Sequence, residues 1–403
     1  MLAVLNEKKE IEDELMANVY QKLPIQVVKG KGAIIWDSKG KEYIDCMAGY
    51  GVAIVGHCNP KVVEAIKKQA ERLVTCHCSL YNDVRAELLE KISKITPKGL
   101  SVSYLANSGA EAVEAAIKLA IKHSGKHGLI SMTGSYHGKT FGALSATWDS
   151  KYRKPYEPLI SGFKFARYGD LNSLKEKISD DVSAIIVEPI QGESGIHLPP
   201  PNYLKEVREL TRENDILMIV DEIQSGFGRT GKVWAFEHYN IIPDIICSAK
   251  GLGGGLPIGA TISTREIMNS FKIGDHTSTF GGNPLSCASA CAAIEYLIEE
   301  RLPERAGKIG KYFLDMLYEL KEKHRMVRDV RGLGLMIGME LRFDVRNIIL
   351  DGIKNGVLLL YAGRNVLRFL PPLVITEEQI KKVVEVLDKL LSEEEKRRGL
   401  TNS

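Results

Sequence analysis

The sequence predicts an α/β fold, with a large domain built on a mostly parallel sheet and a smaller α+β domain. Between about residue 60 and residue 250, short apolar runs alternate with helical stretches: YLANSG, HGLISMTG, SAIIVEPI, ILMIVDE and IICSAK. β-branched runs of this length, separated by helices, are typical of parallel strands that helices cover on both faces. After about residue 300 the periodicity is helical, then strand-like, then helical again, which indicates a separate lobe.

These patterns divide the chain into three segments. Residues 1–60 hold an N-terminal segment and a hairpin, in which two short strands flank an Asp-Ser-Lys-Gly turn within AIIWDSKGKEYID. We expect this hairpin to join the smaller domain. Residues 61–299 form the large domain, and residues 300–403 form the small α+β domain with a last helix over ITEEQIKKVVEVLDKLL.

Composition argues against several functional classes. The chain of 403 residues is 44% hydrophobic and 26% charged, with a formal net charge of only +3. This charge is too small to indicate nucleic-acid binding, and no basic run with interleaved aromatic residues is present. No apolar run approaches the roughly 20 residues that a membrane span needs. The N-terminus becomes charged within seven residues, which is unlike a signal peptide.

The seven cysteines are scattered without a disulfide-like rhythm, so we expect a reducing, cytoplasmic setting. The segment TCHC at 75–78 places one histidine between two cysteines, but no second ligand pair follows at zinc spacing. We therefore predict buried or half-buried thiols in this segment, and no metal site.

A lysine stands directly before a run of glycines in SAKGLGGGLPIG, residues 248–259. Nucleotide-binding phosphate loops place the lysine after the glycines and follow it with Ser or Thr, so the order here argues against one. The third glycine of a dinucleotide fingerprint is also missing. Lys250 follows an apolar run and so leaves a predicted strand at its carboxyl end. By itself, the segment is more simply explained as a surface loop with a solvated lysine.

Two other features belong with this lysine. A helix is predicted to begin near Ser108, since apolar residues repeat at helical spacing after it and Ser108 with Glu111 fits a capping box. Gly109 and Ala110 leave the first backbone N–H groups uncovered, so a phosphate can approach, although a merely capped helix is the alternative. The buried strand ILMIVDE brings Asp221 to the sheet edge where ligands bind, although a carboxylate there can also only cap a loop.

One cofactor accounts for all of these features. Pyridoxal phosphate requires a phosphate cradle, an acid that keeps its pyridine nitrogen protonated, and a lysine amine for a Schiff base. The protonated ring acts as an electron sink, and the displaced lysine can then serve as the general base of a proton shift. We therefore expect Lys250, Asp221 and the helix at Ser108 to meet in one site.

The chain resembles the class III aminotransferases, a family of pyridoxal-phosphate-dependent transferases of fold type I. The resemblance runs from about Tyr20 to the C-terminal helix. It rests on eight segments in the family's order: GKGAIIWDSKGKEYID, NSGAEA, SYHGKT, EPIQGESG, DEIQSGFGRTG, SAKGLGGGLPIG, TFGGNPL and LRFLPPL. The resemblance implies a transaminase that works as a homodimer with shared active sites.

The resemblance also implies a role for each matching cofactor residue. Lys250 would form the Schiff base, and Asp221 would pair with the pyridine nitrogen. The phosphate would be held by one subunit's helix and by a threonine of the partner subunit. Tyr136 would stack on the ring, Ile223 would cover its other face, and Gln224 would lie near its hydroxyl. The implied phosphate ligands are Ser108, Gly109, Ala110 and Thr279.

Substrate recognition would fall to four further residues. Arg368 would bind the carboxylate of glutamate or 2-oxoglutarate as a bidentate fork, and Glu193 would pair with this arginine when an ω-amine donor is bound. Tyr20 would contact the far end of ornithine-like donors. Lys139, in YHGKT, stands where acetylornithine and ornithine aminotransferases usually have an arginine that grips the substrate's distal carboxylate. Lysine is a point charge without the fork.

Within the family, ATWDSKYRKPYEPL and VLRFLPPLVI are most similar to a branch of lysine and arginine biosynthesis. There the substrate is attached through its α-amino group to a small acidic LysW-type carrier protein, and an aminoadipate or glutamate semialdehyde is transaminated with glutamate. Basic residues could contact such a carrier, although a solvated face is the ordinary explanation for surface lysines. They form two clusters: Lys151, Arg153 and Lys154, and Lys29, Lys31, Lys39 and Lys41.

Three alternatives stay open at this point. An N-acetylornithine or ornithine aminotransferase would perform the same chemistry on a free small molecule. A glutamate-semialdehyde aminomutase shares the fold and the lysine, but the pair Glu193 and Arg368 would then serve no external amino donor. A non-catalytic binding protein on this scaffold is disfavoured because both Lys250 and Asp221 are present.

Overall fold

The computed structural model describes residues 2–400 of the chain. The N-terminal part contains these elements: α1 (Leu2–Leu15), β1 (Val27–Lys31), β2 (Ile34–Asp37), β3 (Glu42–Asp45), the short helical turn α2 (Ala48–Gly51), α3 (Pro60–Arg72) and α4 (Asp83–Ile95). The predicted hairpin is confirmed, because β2 and β3 pair antiparallel around the Asp-Ser-Lys-Gly turn.

The central part alternates strands and helices as the sequence predicts. Its strands are β4 (Val102–Ala106), β5 (Gly128–Met132), β6 (Phe163–Ala166), β7 (Val182–Val187), β8 (Leu217–Asp221), β9 (Ile245–Ser248) and β10 (Gly259–Ser263). Its helices are α5 (Gly109–Ser124), α6 (Phe141–Ala146), α7 (Ser150–Arg153), α8 (Leu171–Lys175), α9 (Tyr203–Glu213), α10 (Arg265–Met268) and α11 (Pro284–Glu299), with 3-10 helices at Lys154–Tyr156, Ala235–Tyr239 and Lys250–Gly253.

These strands form one seven-stranded sheet in the order β4-β10-β9-β8-β7-β5-β6. Only β10 runs against the others, since it pairs antiparallel with both β4 and β9. All six residues of β7 are buried, as expected for a central strand with both faces covered. The prediction of a mostly parallel sheet is therefore confirmed, while the reversed strand β10 had no signal in the apolar pattern.

The C-terminal part forms a smaller α+β layer. Its elements are α12 (Leu302–Lys323), β11 (Val327–Leu333), β12 (Met336–Leu341), α13 (Arg346–Lys354), β13 (Val357–Leu358), β14 (Leu360–Ala362), β15 (Val366–Phe369) and α14 (Glu377–Arg397). Strands β11, β12, β15 and β14 make an antiparallel sheet in that order. Helix α14 begins with a complete capping box between Thr376 and Gln379.

The N-terminal hairpin and the C-terminal part share a sheet, because β3 pairs in parallel with β13. This four-stranded sheet has the order β1-β2-β3-β13. The division of the chain at residues 60 and 299 stays a prediction, which limited proteolysis would test.

Among the helices of residues 2–400, none is long and apolar enough to cross a membrane. All seven cysteines are free thiols, and four of them are buried. In the TCHC segment Cys76 is partly buried, but Cys78 is exposed, so the expectation of buried thiols is wrong for Cys78. No group of His, Cys, Asp and Glu side chains suited to a metal ion occurs in the described part of the chain.

Candidate active site

The predicted cofactor residues meet at the carboxyl edge of the seven-stranded sheet. Asp221 is the last residue of β8 and lies opposite Cys247 of the neighbouring strand β9. Lys250 follows β9 by two residues, and the charges of Glu193, Arg368 and Asp221 all act on its amine. Parallel strands end at the same edge, which is why residues distant in sequence meet there.

Lys250 has an unusual backbone. Its φ is 45°, in the left-handed region that a side chain rarely adopts, and such residues cluster at functional sites. Burial lowers the pKa of its amine below the usual lysine range. No hydrogen bond or ion pair joins this amine to another residue in the range 2–400. A buried lysine amine without a partner is suited to act as a nucleophile or base.

The glycines after Lys250 serve packing inside the protein. A Cβ at position 251 would lie 3.0 Å from the Ile54 side chain, and one at position 254 would lie 3.0 Å from Ala293 of α11. Gly254 also has a φ of 60°, where the chain turns out of the 3-10 helix. The glycine run therefore lets this turn lie close against α11.

Helix α5 begins at the predicted position. The Ser108 side chain accepts a hydrogen bond from the Glu111 amide at 3.2 Å, as an N-cap does. In a capping box the Glu111 side chain would accept from the amide of Ser108. Here it accepts from the amide of Asn107, at 2.5 Å, so the second bond of the predicted capping box is shifted by one residue. Ser108 itself is exposed, and the helix N-terminus therefore stays open to an anion.

Asp221 is held by two donors. Its Oδ1 accepts from the Ile223 amide at 3.0 Å, and its Oδ2 lies 2.7 Å from Nδ1 of His137. Both side chains are buried. His137 Nε2 has no hydrogen-bond partner in the described structure. Sequence reasoning missed His137, although it stands in the same SYHGKT segment as Tyr136.

The Ile223 side chain lies against the start of helix α5. A Cβ at Gly109 would be 2.8 Å from Ile223 Cδ1, so any larger residue there would push the isoleucine side chain aside. The segment with Tyr136 packs on the same helix end, because a Cβ at Gly138 would lie 2.8 Å from that of Ala110. The structure thus brings Ile223 and the segment of Tyr136 together at the N-terminus of α5.

Two more carboxyl groups lie beside Asp221. Burial raises the pKa of Glu222 to about 8, although its oxygens accept from the Ser225 hydroxyl and the Phe236 amide. Burial also raises the pKa of Glu188 well above the usual range, and the Asp221 charge adds to this effect. Glu188 accepts from the amide of Tyr136 at 3.2 Å. Sequence reasoning gave Glu188 no role, although it directly follows β7.

A buried arginine of the smaller layer also acts on Lys250 through its charge. Arg368 of β15 has no exposed surface, and its Nη1 lies 2.6 Å from Glu193 Oε1. The same nitrogen donates to Gln224 Oε1 at 3.3 Å, while Gln224 Nε2 lies 3.4 Å from Glu193. Burial would raise the pKa of Glu193, but the Arg368 charge outweighs it and keeps the pKa low. The predicted pair of Glu193 and Arg368 is thus in direct contact.

Part of the Arg368 guanidinium is free to bind a ligand. Its Nε and Nη2 are buried without a hydrogen-bond partner among the described residues. The ring of Tyr50 lies 5.6 Å from the guanidinium carbon, and the φ of Tyr50 is 62°. A guanidinium with free donors in a dry site is suited to a carboxylate ligand. Sequence reasoning missed Tyr50; its only signal was the Gly-Tyr-Gly sequence around it.

At the mouth of the site, two half-buried tyrosines meet two exposed lysines. Tyr136 meets Tyr152 edge-on with ring centroids 5.6 Å apart. The amines of Lys139 and Lys151 lie 5.0 and 4.6 Å from the centre of the Tyr152 ring. Lys139 is exposed. Two cations therefore flank one aromatic ring where the site opens to solvent.

Two predicted residues lie at the surface. Tyr20 is 63% exposed, and its neighbour Gln21 accepts a hydrogen bond from the Tyr361 hydroxyl. Thr279 is also exposed, and Ser278 beside it accepts from the Asn107 side chain at 3.1 Å. The structure of one chain therefore brings the loop of Thr279 next to the start of α5 but leaves its side chain open to solvent.

These groups fit pyridoxal phosphate by their chemistry. A partnerless amine, a buried carboxylate and an open helix N-terminus match the aldehyde, the ring nitrogen and the phosphate, respectively. When bound, the cofactor supplies an aldehyde that takes up an amino group and a ring that withdraws electrons from the substrate. The chain would contribute a base at Lys250, a fixed negative charge at Asp221 and a carboxylate receptor at Arg368.

Comparisons with known proteins point to the same chemistry. The family model of aminotransferase class III matches residues 15–391. An acetylornithine aminotransferase of Methanopyrus kandleri is 46% identical over 93% of this chain and 96% of its own length. A relative from Pyrobaculum aerophilum, described as a putative [LysW]-aminoadipate semialdehyde/glutamate semialdehyde transaminase, is 40% identical over 94% of this chain and 99% of its own.

A solved structure of ornithine aminotransferase from Toxoplasma gondii, described with partial occupancy of PLP at its active site, superposes with a TM-score of 0.93. It is 36% identical, and the alignment covers 98% of this chain and 96% of that one. The predicted fold of type I transferases is therefore confirmed. The chain belongs to the class III aminotransferases and is a pyridoxal-phosphate-dependent transaminase.

Proposed function

We propose that the protein is a glutamate-dependent ω-aminotransferase whose other substrate is a diamino acid with an acylated α-amino group. Such an enzyme must bind the carboxylate of glutamate in one half-reaction and an ω-amine in the other. The contact between Glu193 and Arg368 carries this proposal. While paired, the two side chains cancel each other's charge, and when Glu193 withdraws, the guanidinium is free for a carboxylate.

The proposed cofactor roles follow the site as described. Lys250 would bind the cofactor aldehyde and act as the base, and Asp221 would pair with the pyridine nitrogen. Tyr136 and Ile223 would cover the two faces of the ring, and Gln224 would lie near its hydroxyl. The phosphate would be held by the start of α5, at Ser108, Gly109 and Ala110, and by the partner subunit's Thr279.

The homodimer is supported by apolar side chains that one chain leaves in solvent. Four of them lie near Thr279 in sequence or in the loop beside it: Leu80, Tyr81, Ile273 and Phe280, which are 64%, 107%, 108% and 62% exposed. Apolar surface of this kind marks an association site. Light scattering on the purified enzyme would give the mass of a dimer, and a monomeric mass would refute this part. The free cysteines support a reducing, cytoplasmic location.

The nature of the acyl group separates two candidate functions. Several relatives named acetylornithine aminotransferase support an acetyl group, and the Pyrobaculum relative supports the amide to an acidic carrier. The exposed amines of Lys139 and Lys151 lie on either side of Tyr152 and favour an acidic carrier, although Lys151 also pairs with Asp149 at 2.8 Å. The basic cluster around Lys41 gives less support for carrier binding, because the Lys41 amine already donates to the carbonyls of Ile353 and Lys354.

The deciding experiment compares turnover of carrier-linked lysine, carrier-linked ornithine, acetylornithine and ornithine, each with 2-oxoglutarate. Carrier recognition would be supported if the enzyme prefers carrier-linked over free substrates and this preference declines with added salt. The preference should also decline in Lys151→Gln but not in Lys41→Gln. Equal or better turnover of free acetylornithine would assign the acetyl substrate. Amino transfer without 2-oxoglutarate, starting from glutamate semialdehyde, would contradict the proposal and indicate an aminomutase.

A further inference from the structure

A buried arginine outside the set of predicted site residues has only carbonyl partners. Arg85 of α4 is 8% exposed. Its Nε donates to the carbonyl of Gly282 at 2.8 Å, its Nη1 to that of Leu80 at 2.9 Å, and its Nη2 to that of Cys76 at 2.5 Å. Within residues 2–400 it forms no ion pair. A guanidinium has five donors in a rigid fork, so it can hold three carbonyls at fixed angles, which a lysine cannot.

The three carbonyls belong to two separate loops. Leu80 and Cys76 lie in the loop between α3 and α4, and Gly282 lies in the turn that leads into α11. The Cys78 thiol also donates to the carbonyl of Gly281 at 3.2 Å. At Gly282 the φ is 70°, and a Cβ there would lie 3.2 Å from Arg85 Nε. Arg85 therefore joins the two loops at close range.

The turn before α11 holds Thr279 at its exposed side. Ser278 accepts from the Gly281 amide at 3.0 Å and from the Asn107 side chain at 3.1 Å. The Asn283 amide donates to the carbonyl of Phe280 at 3.1 Å. The residues on both sides of Thr279 are thus held in place: Asn107 donates to the Ser278 hydroxyl, and Arg85 donates to the carbonyl of Gly282.

We propose that Arg85 is a positioning residue for the cofactor phosphate. By fixing the carbonyl of Gly282, it sets the direction in which Thr279 presents its hydroxyl to the partner subunit. The inference rests on the proposed function, in which the partner subunit's Thr279 binds the phosphate. Arg85 itself touches neither cofactor nor substrate, so its influence should reach the phosphate and leave the aldehyde, the ring and the substrate carboxylate unaffected.

The test measures the affinity of the apoenzyme for pyridoxal phosphate and for pyridoxal, which lacks the phosphate. In Arg85→Lys and Arg85→Gln we expect the dissociation constant for pyridoxal phosphate to rise about tenfold, the effect of weakening one hydrogen bond to a charged group. The constant for pyridoxal should not change. Arg72→Lys, at the end of α3 and paired with Asp83 at the surface, is the matched control and should leave both constants unchanged.

Thr279→Ala shows how much affinity for pyridoxal phosphate is lost when the threonine hydroxyl is removed altogether. The double variant of Arg85→Lys with Thr279→Ala should lose no more affinity than Thr279→Ala alone. If the Arg85 variants lose both ligands equally, lose neither, or yield no folded dimer, the proposal is overturned. A distinct result would be an unchanged phosphate affinity in Thr279→Ala itself. That result would refute the role of Thr279 in the proposed function, whatever Arg85 does.

Discussion

The buried end of the site and its mouth are built in different ways. At the buried end, Asp221 and Lys250 leave neighbouring strands of one sheet, and backbone or side-chain partners fix the Asp221 carboxylate. At the mouth, Lys139, Lys151 and Tyr152 lie outside the strands and meet through cation–π contacts in reach of water. A charge in a dry site acts strongly on its neighbours, whereas solvent weakens an exposed one.

This contrast assigns the two ends different tasks. Changes at the buried end should alter the chemical step and so lower kcat. Changes at the mouth should alter the affinity for one part of one substrate and so move KM. Substitutions at the two ends test that separation.

Lys250→Ala should cause the largest loss, because the residue supplies both the cofactor linkage and the base. We expect turnover with 2-oxoglutarate to fall by at least about 10³-fold, within the range for loss of a base, together with the absorbance of the bound cofactor. The measurement is the rate of glutamate formation in purified protein. Lys205→Ala, on the surface of α9, is the control; activity retained in Lys250→Ala would break the assignment.

Two neighbouring carboxyl groups should differ in how strongly kcat responds when each is replaced by its neutral amide. Asp221→Asn removes a negative charge from the buried end, and kcat should fall on the order of 10²-fold or more, as for loss of one preorganised electrostatic partner. Glu222→Gln should change kcat only a few-fold, because the raised pKa of Glu222, about 8, means that this side chain is already neutral at pH 7. Equal losses in both variants would show that burial, not charge at Asp221, matters.

The same glutamate should make stability depend on pH. The folded-state pKa of Glu222 is about 8 and its ordinary value is 4.5, so its contribution to stability is full below about pH 4.5 and is lost as the pH rises through 8. Glu222→Gln should remove this slope, with a difference on the order of a few kcal/mol, since one pKa unit corresponds to about 1.4 kcal/mol. Urea unfolding of both proteins at pH 5 and pH 9 measures it. If the free energy of unfolding changes equally between pH 5 and pH 9 in both proteins, Glu222 is not buried in its protonated state.

Lys139→Arg should have the smallest effect and a different signature. An arginine adds a bidentate fork for a distal carboxylate, so KM for free acetylornithine should fall by about two- to tenfold while kcat is unchanged. Steady-state kinetics with each substrate varied would show it, with Lys151→Arg as the control on the other side of Tyr152. A changed KM for glutamate would mean that the mouth and the carboxylate site are not separate.

Much of the site was predictable because its residues stand in short, ordered segments. Lys250, Asp221 and Ser108 each follow a recognisable apolar run, and strands of one parallel sheet end at one edge. The pair of Glu193 and Arg368 came from resemblance alone, since the two residues lie 175 positions apart. His137 escaped prediction because a lone histidine gives no signal of which carboxylate it will meet.

The sequence by itself determined the α/β class, the parallel strands, the start of α5 and the type of cofactor, because local apolar periodicity and strand-end residues are encoded over a few positions. Only the tertiary structure decided which side chains contact which partners: His137 with Asp221, Arg368 with Glu193 and Gln224, and Arg85 with the loop of Thr279. Such pairings depend on how sheets and loops pack against one another, and the spacing of residues along the chain does not predict which of them will come into contact.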